Sequence, residues 1–296
     1  MKKRSAVAAT DGPRPCVRER EQETTPHAHQ DHQGTGLVNI ATVIGFVFGI
    51  AILGFATLLS TDSAGVFINI PGLAIVLGGT LASTFICFPL KEVMRVFNTF
   101  LVALKREELP TDHYIDAIVS IAKQASARGR IHLETALPGV ENEFLQSAIQ
   151  MLVDGYSREE IQEILDTRIE QTYQQELSSA GIYRTMAKLS PAYGIIGTLI
   201  GLIGMLQSMS VGLGNLGAHM AVALTTTLYG ILLAHLIFLP IAIKVEKLIE
   251  ERVILMCVIR DGTLFIKDKT PAAIVLDKLK AYLPTRRWAS IERQED

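Results

Sequence analysis

Four long stretches without a charged side chain constrain most strongly how this chain can fold. Residues 37–60, 70–90, 189–211 and 217–243 contain no Lys, Arg, Asp or Glu. Each is longer than the roughly 20 apolar residues that a helix needs to cross a bilayer. Buried helices of a large soluble core are the alternative, but four such stretches in 296 residues favour membrane spans. We therefore predict an all-α, polytopic membrane protein with four transmembrane helices.

The distribution of basic residues predicts the orientation of these spans. All 28 Lys and Arg residues lie in residues 1–36, 91–188 and 244–296. The loop at 61–69 holds only the acidic Asp62, and the loop at 210–216 is uncharged. Because cytoplasmic segments carry the excess of Lys and Arg, both termini and the middle segment are expected in the cytoplasm.

This topology divides the chain into five segments, two of which are membrane hairpins. We expect a flexible, polar N-terminal tail, a first hairpin, a large cytoplasmic helical domain, a second hairpin and cytoplasmic C-terminal helices. The corresponding ranges are 1–36, 37–90, 91–188, 189–243 and 244–296. Within the middle domain, Gly155 is expected to end one helix, and Ser157 with Glu160 forms a capping-box pattern that starts the next. That next helix is expected to run towards the third span.

Glycine and threonine are concentrated in the second hairpin, where a simple lipid-facing helix would have little use for them. Four glycines in the third span are spaced three, four and three residues apart, which places them on one helix face: Gly194, Gly197, Gly201 and Gly204. Such a face lets another helix approach closely. Three hydroxyl groups at membrane depth, on Thr198, Thr226 and Thr227, each need a partner or an ion path.

An ionisable side chain at membrane depth is missing from all four spans. Ion-driven transport usually needs such a group to carry or relay the ion. His219 and His235 lie near the two ends of the last span, a position that favours an interfacial or hydrogen-bonded role. Either the protein moves no ion, or a partner chain supplies the acid. The threonine hydroxyls favour the second interpretation.

Five sequence segments resemble the MotA/PomA family of bacterial flagellar stator subunits. They are LSPAYGIIGTLIGLIGML (189–206), AVALTTTLYGILLA (221–234), LPIAIK (239–244), IVLGGTLAS (75–83) and LVDGYS (152–157). The resemblance extends from Leu37 to about Leu283 and shares the more distant TolQ/ExbB pattern in the last two spans. It implies a multi-pass protein of the bacterial inner membrane that is not an enzyme and needs no cofactor.

The resemblance also implies partners. It predicts a homo-oligomer, a pentamer around two copies of a MotB/PomB-like subunit whose single span carries the essential aspartate. Ion flow past that aspartate would turn the pentamer, and the cytoplasmic domain would drive the rotor protein FliG. No nucleic-acid partner is expected.

Individual roles follow from the same resemblance. Thr198, Thr226 and Thr227 match positions that line the ion path in sodium-type stators, which predicts coupling to Na⁺, with H⁺ as the alternative. Pro191 and Pro240 match two family prolines at the inner ends of the last spans. They imply conformational coupling, although prolines can also simply bend or end helices. The predicted rotor contact consists of Arg128, Arg130 and Glu134, but Ser126 and Ala127 replace the basic pair usual in the family.

Two other functions remain open at the level of sequence. An ExbB/TolQ-like energiser of outer-membrane processes would share the last two spans, but such proteins resemble three-span chains with the N-terminus outside. A helical scaffold without ion coupling would leave the threonine face unexplained. A catalytic function is not expected, because the sequence shows no nucleophile–base grouping, metal-ligand spacing or phosphate-binding loop.

Overall fold

The computed structural model describes residues 40–60, 64–96, 111–128, 142–209, 216–285 and 288. Most of these residues are helical, and no strand occurs among them. The predicted all-helical architecture is therefore confirmed for the described part of the chain. The predicted tail of residues 1–36 lies outside it.

The helices follow one another with short connections. In chain order they are α1 (Ile40–Ser60), a 3₁₀ turn (Ala64–Phe67), α2 (Ile70–Cys87), α3 (Thr111–Arg128), α4 (Glu143–Asp154), α5 (Arg158–Met209), α6 (Leu216–Leu232), a π-helical segment (Leu233–Phe238), α7 (Leu239–Lys267) and α8 (Ala272–Lys280). Residues 90–96 are also helical.

Three described helical stretches are long and apolar enough to cross a membrane. They are Ile70–Cys87, Arg158–Met209 and Leu216–Lys267. The most apolar 18-residue window of each stretch has a mean hydropathy of 1.8, 1.7 and 2.1, respectively. Helix α1 occupies the position of the first predicted span and carries no charged residue. A membrane protein is thus supported by length and composition, while the four-span topology and its orientation stay predictions.

Local capping explains where α4 ends and α5 begins. Gly155 adopts a left-handed conformation with φ of 85°, which a residue with a side chain rarely tolerates, and it ends α4. The backbone N–H of Ser157 donates to the Glu160 carboxylate at 2.8 Å, and the N–H of Glu160 donates to the Ser157 hydroxyl at 3.2 Å. Hydrogen bonding of the Glu160 carboxylate to the backbone N–H and the side chain of Ser157 lowers the pKa of Glu160. The predicted capping box and glycine stop are both confirmed.

The helices form two compact units. The first includes Leu109–Gln174 and Glu250–Asp296, and we call it the core unit. Its described helices enclose one hydrophobic cluster with fully or almost fully buried side chains, among them Ile115, Ile118, Ile149, Leu165, Ile259 and Leu279. Residues from the middle segment and from the C-terminal tail therefore share a single core.

The second compact unit contains all four charge-free stretches, and we call it the span unit. It comprises Gly34–Glu108 and Gln175–Ile249. Its α2 packs against α6, and Asn69 caps α2 by accepting from the N–H of Gly72 at 2.9 Å. The hydroxyl of Tyr229 on α6 accepts from the N–H of Asn69 at 2.8 Å and donates to the carbonyl of Phe67. These bonds fasten the start of α2 to α6.

A large-to-small substitution should show how much the shared core stabilises the core unit. Ile259 is fully buried in it, and Ile259→Ala should lower the free energy of unfolding by about 2–5 kcal/mol through lost burial and a cavity. Denaturant unfolding of the purified full-length protein measures this change. Ile274→Ala, at a site that is 46% exposed, is the matched control. Equal effects at both sites would contradict a shared core around Ile259.

Candidate functional site

The glycine face of α5 lies directly on α6. An atom in the Cβ position would come too close to α6 at each of four glycines: Gly194, Gly197, Gly201 and Gly204. At Gly201 it would lie 2.8 Å from the backbone nitrogen of Ala223 and 2.8 Å from the carbonyl oxygen of His219. Because these neighbours are backbone atoms, they cannot turn aside as a flexible side chain can. The structure therefore places all four predicted packing glycines at one helix–helix contact.

Helices α6 and α2 also have glycines at close helix–helix contacts. A Cβ atom at Gly230 would lie 2.7 Å from the carbonyl oxygen of Ser190 and 3.1 Å from the backbone α-carbon of Pro191. One at Gly72 would lie 2.9 Å from the Cγ2 of Thr226. Gly230 and Gly72 are not predicted as packing positions, because the glycine pattern on one helix does not reveal which residues of another helix oppose it.

Two of the three predicted ion-path threonines meet within this contact. The hydroxyl oxygens of Thr198 on α5 and Thr227 on α6 lie 2.5 Å apart. The Thr198 hydroxyl is also 3.1 Å from the carbonyl oxygen of Gly194 and 3.0 Å from that of Ala223. We call these four oxygens the hydroxyl cluster. They are partly buried and come from two helices, so the cluster depends on the close approach that the glycines permit.

The third predicted ion-path residue, Thr226, faces a different direction. It is completely buried, and its hydroxyl lies 3.0 Å and 2.9 Å from the carbonyl oxygens of Val222 and Ala223 in its own helix. Its side chain fills the space beside Gly197 and Gly72. Successive residues of a helix point about 100° apart, so the Thr226 hydroxyl reaches the cluster at the carbonyl of Ala223, whereas the Thr227 hydroxyl lies against that of Thr198.

Both predicted coupling prolines lie inside continuous helical stretches. Pro191 is an interior residue of α5, and Pro240 follows the π-helical segment Leu233–Phe238 at the start of α7. Proline offers no N–H to the carbonyl four residues earlier, so each position is a weak point in its helix. π-helical segments occur often at functional sites. The sequence predicts a role for Pro240 but does not reveal the π-helical segment that precedes it.

Polar contacts join the part of α5 before Pro191 to the part of α7 after Pro240. The guanidinium of Arg184 forms a forked ion pair with the carboxylate of Glu246, with one N–O distance of 2.6 Å. Hydrogen bonding to Glu246 raises the pKa of Arg184. Nearby, the buried Tyr183 hydroxyl donates to the carbonyl of Val96 at 2.6 Å. These contacts were not predicted, because the residues are 62 and 87 positions apart in sequence.

A second polar contact connects α2 with α5 just beyond Pro191. The hydroxyl oxygens of Ser83 and Tyr193 are 2.5 Å apart. An atom in the Cβ position at Gly79 would lie 2.1 Å from the Tyr193 ring, so the ring rests directly on the α2 backbone. Helices α2, α5 and α6 are thus packed together around Gly79, Tyr193 and Gly230.

The predicted rotor-facing residues begin at the end of α3. Helix α3 ends at Arg128, and the side chain of Arg128, like Arg130 and Glu134 as a whole, falls outside the described residues. Their contact with a rotor stays a prediction. In the part of the chain that the structure describes, no group of three or more His, Cys, Asp or Glu side chains could hold a metal ion.

Comparison with known proteins shows what this chain is similar to. A family model described as the MotA/TolQ/ExbB proton channel family matches residues 137–257. The chemotaxis protein PomA of Vibrio alginolyticus is 32% identical over 249 residues, which cover 83% of this chain and 96% of PomA.

Two solved structures share the fold. The flagellar MotAB stator complex from Bacillus subtilis contains a chain that is 27% identical, with a TM-score of 0.77 and coverage of 84% of this chain and 97% of that one. The structure of C. jejuni MotAB gives a TM-score of 0.78 at 24% identity, covering 83% of this chain and 96% of that chain. The similarity therefore extends over both compact units of the protein.

Substitution within the glycine face should separate α5 from α6. Gly201→Ala should lower the free energy of unfolding by about 1–3 kcal/mol, because the added methyl group meets rigid backbone. Thermal unfolding of the detergent-solubilised protein measures this loss. Gly78→Ala is the matched control, since a Cβ atom at Gly78 has nothing within 4 Å, and alanine favours a helix over glycine. An unchanged melting temperature for Gly201→Ala would contradict the close contact.

Proposed function

This chain belongs to the MotA/PomA family of flagellar stator subunits, and from that premise we propose how it works. With a MotB/PomB-like partner it forms an ion channel and converts ion flow into torque on the rotor protein FliG. The observation that carries this proposal is the hydroxyl cluster, which lies at membrane depth in a chain whose four charge-free stretches contain no acid.

The missing acid is the main reason to propose a partner chain. Hydroxyl and carbonyl oxygens can bind a cation but do not exchange a proton near neutral pH, so ion-driven work needs a carboxylate from elsewhere. The C. jejuni and B. subtilis relatives are found in MotAB complexes. We place five copies of this chain around two copies of a MotB/PomB-like subunit, whose single span carries the aspartate.

The outer surface of α5 suits such an assembly. Large apolar side chains of this helix are exposed in the single chain: Ile195, Ile196, Leu199, Ile200, Leu202 and Ile203. They can pack against lipid, neighbouring copies or the partner helix without leaving an unsatisfied polar group. In this proposal the protein is a multi-pass protein of the bacterial inner membrane with both termini in the cytoplasm.

The chemistry of the hydroxyl cluster supports sodium as the coupling ion. It brings two hydroxyl oxygens and two carbonyl oxygens from two helices to one place. Neutral hydroxyl and carbonyl oxygens are hard ligands that suit a partly dehydrated alkali cation. Thr198 and Thr227, together with the carbonyl groups of Gly194 and Ala223, would line this part of the path. Thr226 would support this path by packing beside it.

Pro191 and Pro240 provide the mechanical part of the proposal. They weaken α5 and the start of α7 between the hydroxyl cluster and the Arg184–Glu246 ion pair. A change in occupancy of the ion path could then bend the helices at these positions and move the cytoplasmic segments. Arg128, Arg130 and Glu134 would transmit that movement to FliG.

A stator role fits better than an ExbB/TolQ-like energiser. Helix α1 is a 21-residue apolar helix before α2, which agrees with four spans rather than three. The PomA similarity also extends over 96% of that stator relative. The TolQ/ExbB part of the matched family remains the second candidate function, because residues 137–257 match the family as a whole.

Removal of a cluster hydroxyl should weaken ion binding. In motors driven by this chain and its partner, Thr198→Ala and Thr227→Ala should each raise the half-saturating sodium concentration for rotation by about three- to tenfold, the usual effect of one lost polar contact. Rotation rate measured over a sodium series provides the test. Thr185→Ala is the control, since that hydroxyl bonds the carbonyl of Gly181 outside the spans.

Sodium coupling itself can be refuted in the same motors. Rotation that persists at low sodium but stops when a protonophore is added would show that the parent protein uses protons. Thr198→Ser, which keeps the hydroxyl, should retain the parent's sodium dependence.

Charge reversal should test the rotor-facing residues separately from the ion path. Arg128→Glu or Glu134→Arg should lower torque at high load, because charge complementarity sets the register of a protein contact. Torque–speed curves and the amount of chain in the membrane are the measurements, and the membrane level should not change. Normal swimming by the double variant Arg128→Glu/Glu134→Arg would refute this contact.

A further inference from the structure

Several hydroxyl groups of the described span unit are satisfied within their own helix. Each of several Ser and Thr side chains donates to a carbonyl one turn earlier: Thr84 to Thr80, Thr185 to Gly181, Ser208 to Gly204 and Thr225 to Ala221. Two fully buried hydroxyls of the described span unit, on Ser190 and Thr80, have no hydrogen-bond partner. A buried hydroxyl without a partner is costly and calls for an explanation.

Ser190 lies beside a gap in the hydrogen-bond ladder of α5. The next residue, Pro191, has no N–H, so the carbonyl of Ala187 lacks the donor that position 191 normally supplies. A serine hydroxyl can bond a carbonyl three or four residues earlier in its helix, and such bonds often bend the helix. The Ser190 hydroxyl, which has no acceptor, and the Ala187 carbonyl, which lacks its regular donor, therefore lie within one turn of each other.

The helix is held firmly on both sides of this turn. Towards the outer end, the backbone of α5 rests on α6 from Gly194 to Gly204. On the cytoplasmic side, Arg184 is paired with Glu246, and Tyr183 bonds the carbonyl of Val96. Bending between these contacts is confined to the turn that contains Ser190 and Pro191.

The neighbouring helix presents no side chain at this turn. Gly230 of α6 lies opposite Ser190 and Pro191, and an atom in its Cβ position would be 2.7 Å from the Ser190 carbonyl oxygen. The backbones of α5 and α6 are therefore in direct contact here, and a change in the bend of α5 displaces no side chain at position 230. An unpartnered donor and a helix break thus occur where α5 rests on a glycine.

We propose that Ser190 is a positioning residue for the hinge at Pro191. Its hydroxyl is unbonded in the arrangement seen here and donates to the carbonyl of Ala187 in a second, more bent arrangement of α5. This inference rests on the proposed stator function, in which ion passage drives the chain between two such arrangements. The bond formed in the bent arrangement offsets the loss of straight helical packing and brings the two arrangements closer in free energy.

A purely structural role for Ser190 predicts a different rotation rate. If packing alone mattered, alanine at position 190 would remove an unsatisfied group, improve helix propensity and leave function unchanged. A positioning role predicts a protein that is stabilised in the same way but rotates more slowly. The rotation rate therefore separates the two interpretations, and the melting temperature checks that the hydroxyl is unbonded in the resting complex.

The test compares Ser190→Ala with the parent in the full complex with its partner. We expect the zero-load rotation rate at saturating coupling ion to fall about three- to tenfold, the factor associated with one hydrogen bond in a rate. The half-saturating ion concentration should not change, since Ser190 lies outside the hydroxyl cluster. The melting temperature of the purified complex should rise by about 2–4 °C.

Ser208→Ala is the matched control on the same helix. Its hydroxyl already bonds the carbonyl of Gly204 at 2.7 Å, so its loss should leave the rotation rate unchanged and should not raise the melting temperature. Both variants carry the same chemical change, and only one lies at the proline.

Three results would overturn the hinge proposal. An unchanged rotation rate for Ser190→Ala would show that the hydroxyl has no part in the movement. A raised half-saturating ion concentration would make Ser190 an ion ligand instead, and a lowered melting temperature would show that its hydroxyl is already bonded in the resting complex. A parent complex that never rotates would refute the stator function itself, which a rotating parent with an unaffected variant would not.

Discussion

The contact between the backbones of α5 and α6 is the constraint on which the rest of the span unit depends. At Gly201 and Gly230 even one additional methyl group would meet backbone atoms of the other helix. Lipid supplies no hydrophobic force between two apolar helices, so their association relies on close packing and on polar contacts. Small residues make the packing possible, and the hydroxyl cluster forms within this contact.

This contact also determines what each hydroxyl can do. Thr198 and Thr227 meet because they project into the α5–α6 contact from opposite helices. Thr226, one position away from Thr227, is turned towards Gly72 and Gly197 and fills the space that those glycines leave. Adjacent residues with identical chemistry thus have separate roles, one at the proposed ion path and one in the packing that shapes it.

The sequence predicts features that follow from helical periodicity or from local capping. The glycine face is set by the 3.6-residue repeat, and the Ser157–Glu160 capping box is contained within four residues. Contacts between distant segments are different, because nothing local in the sequence encodes them. The Arg184–Glu246 pair and the core shared by residues 111–174 and 250–283 depend on how helices meet. The role of Thr226 in the ion path stays a prediction: its hydroxyl bonds carbonyl groups of its own helix, and one of these, that of Ala223, belongs to the hydroxyl cluster.

In the proposed stator, the acid lies on the partner chain and the Thr198 and Thr227 hydroxyls lie on this chain, and this separation has a mechanical consequence. A carboxylate within this chain would bind its ion in a fixed relation to the hydroxyl cluster, and binding would then move nothing between chains. With the carboxylate on a partner helix, the ion is shared across an interface, so its arrival and departure change the force between two separate bodies. Such a change does work only if one body can deform, and α5 is weakest at Pro191, between the cluster and the Arg184–Glu246 pair. In the proposed stator, the glycines, threonines and prolines of α5, α6 and α7 would therefore act together.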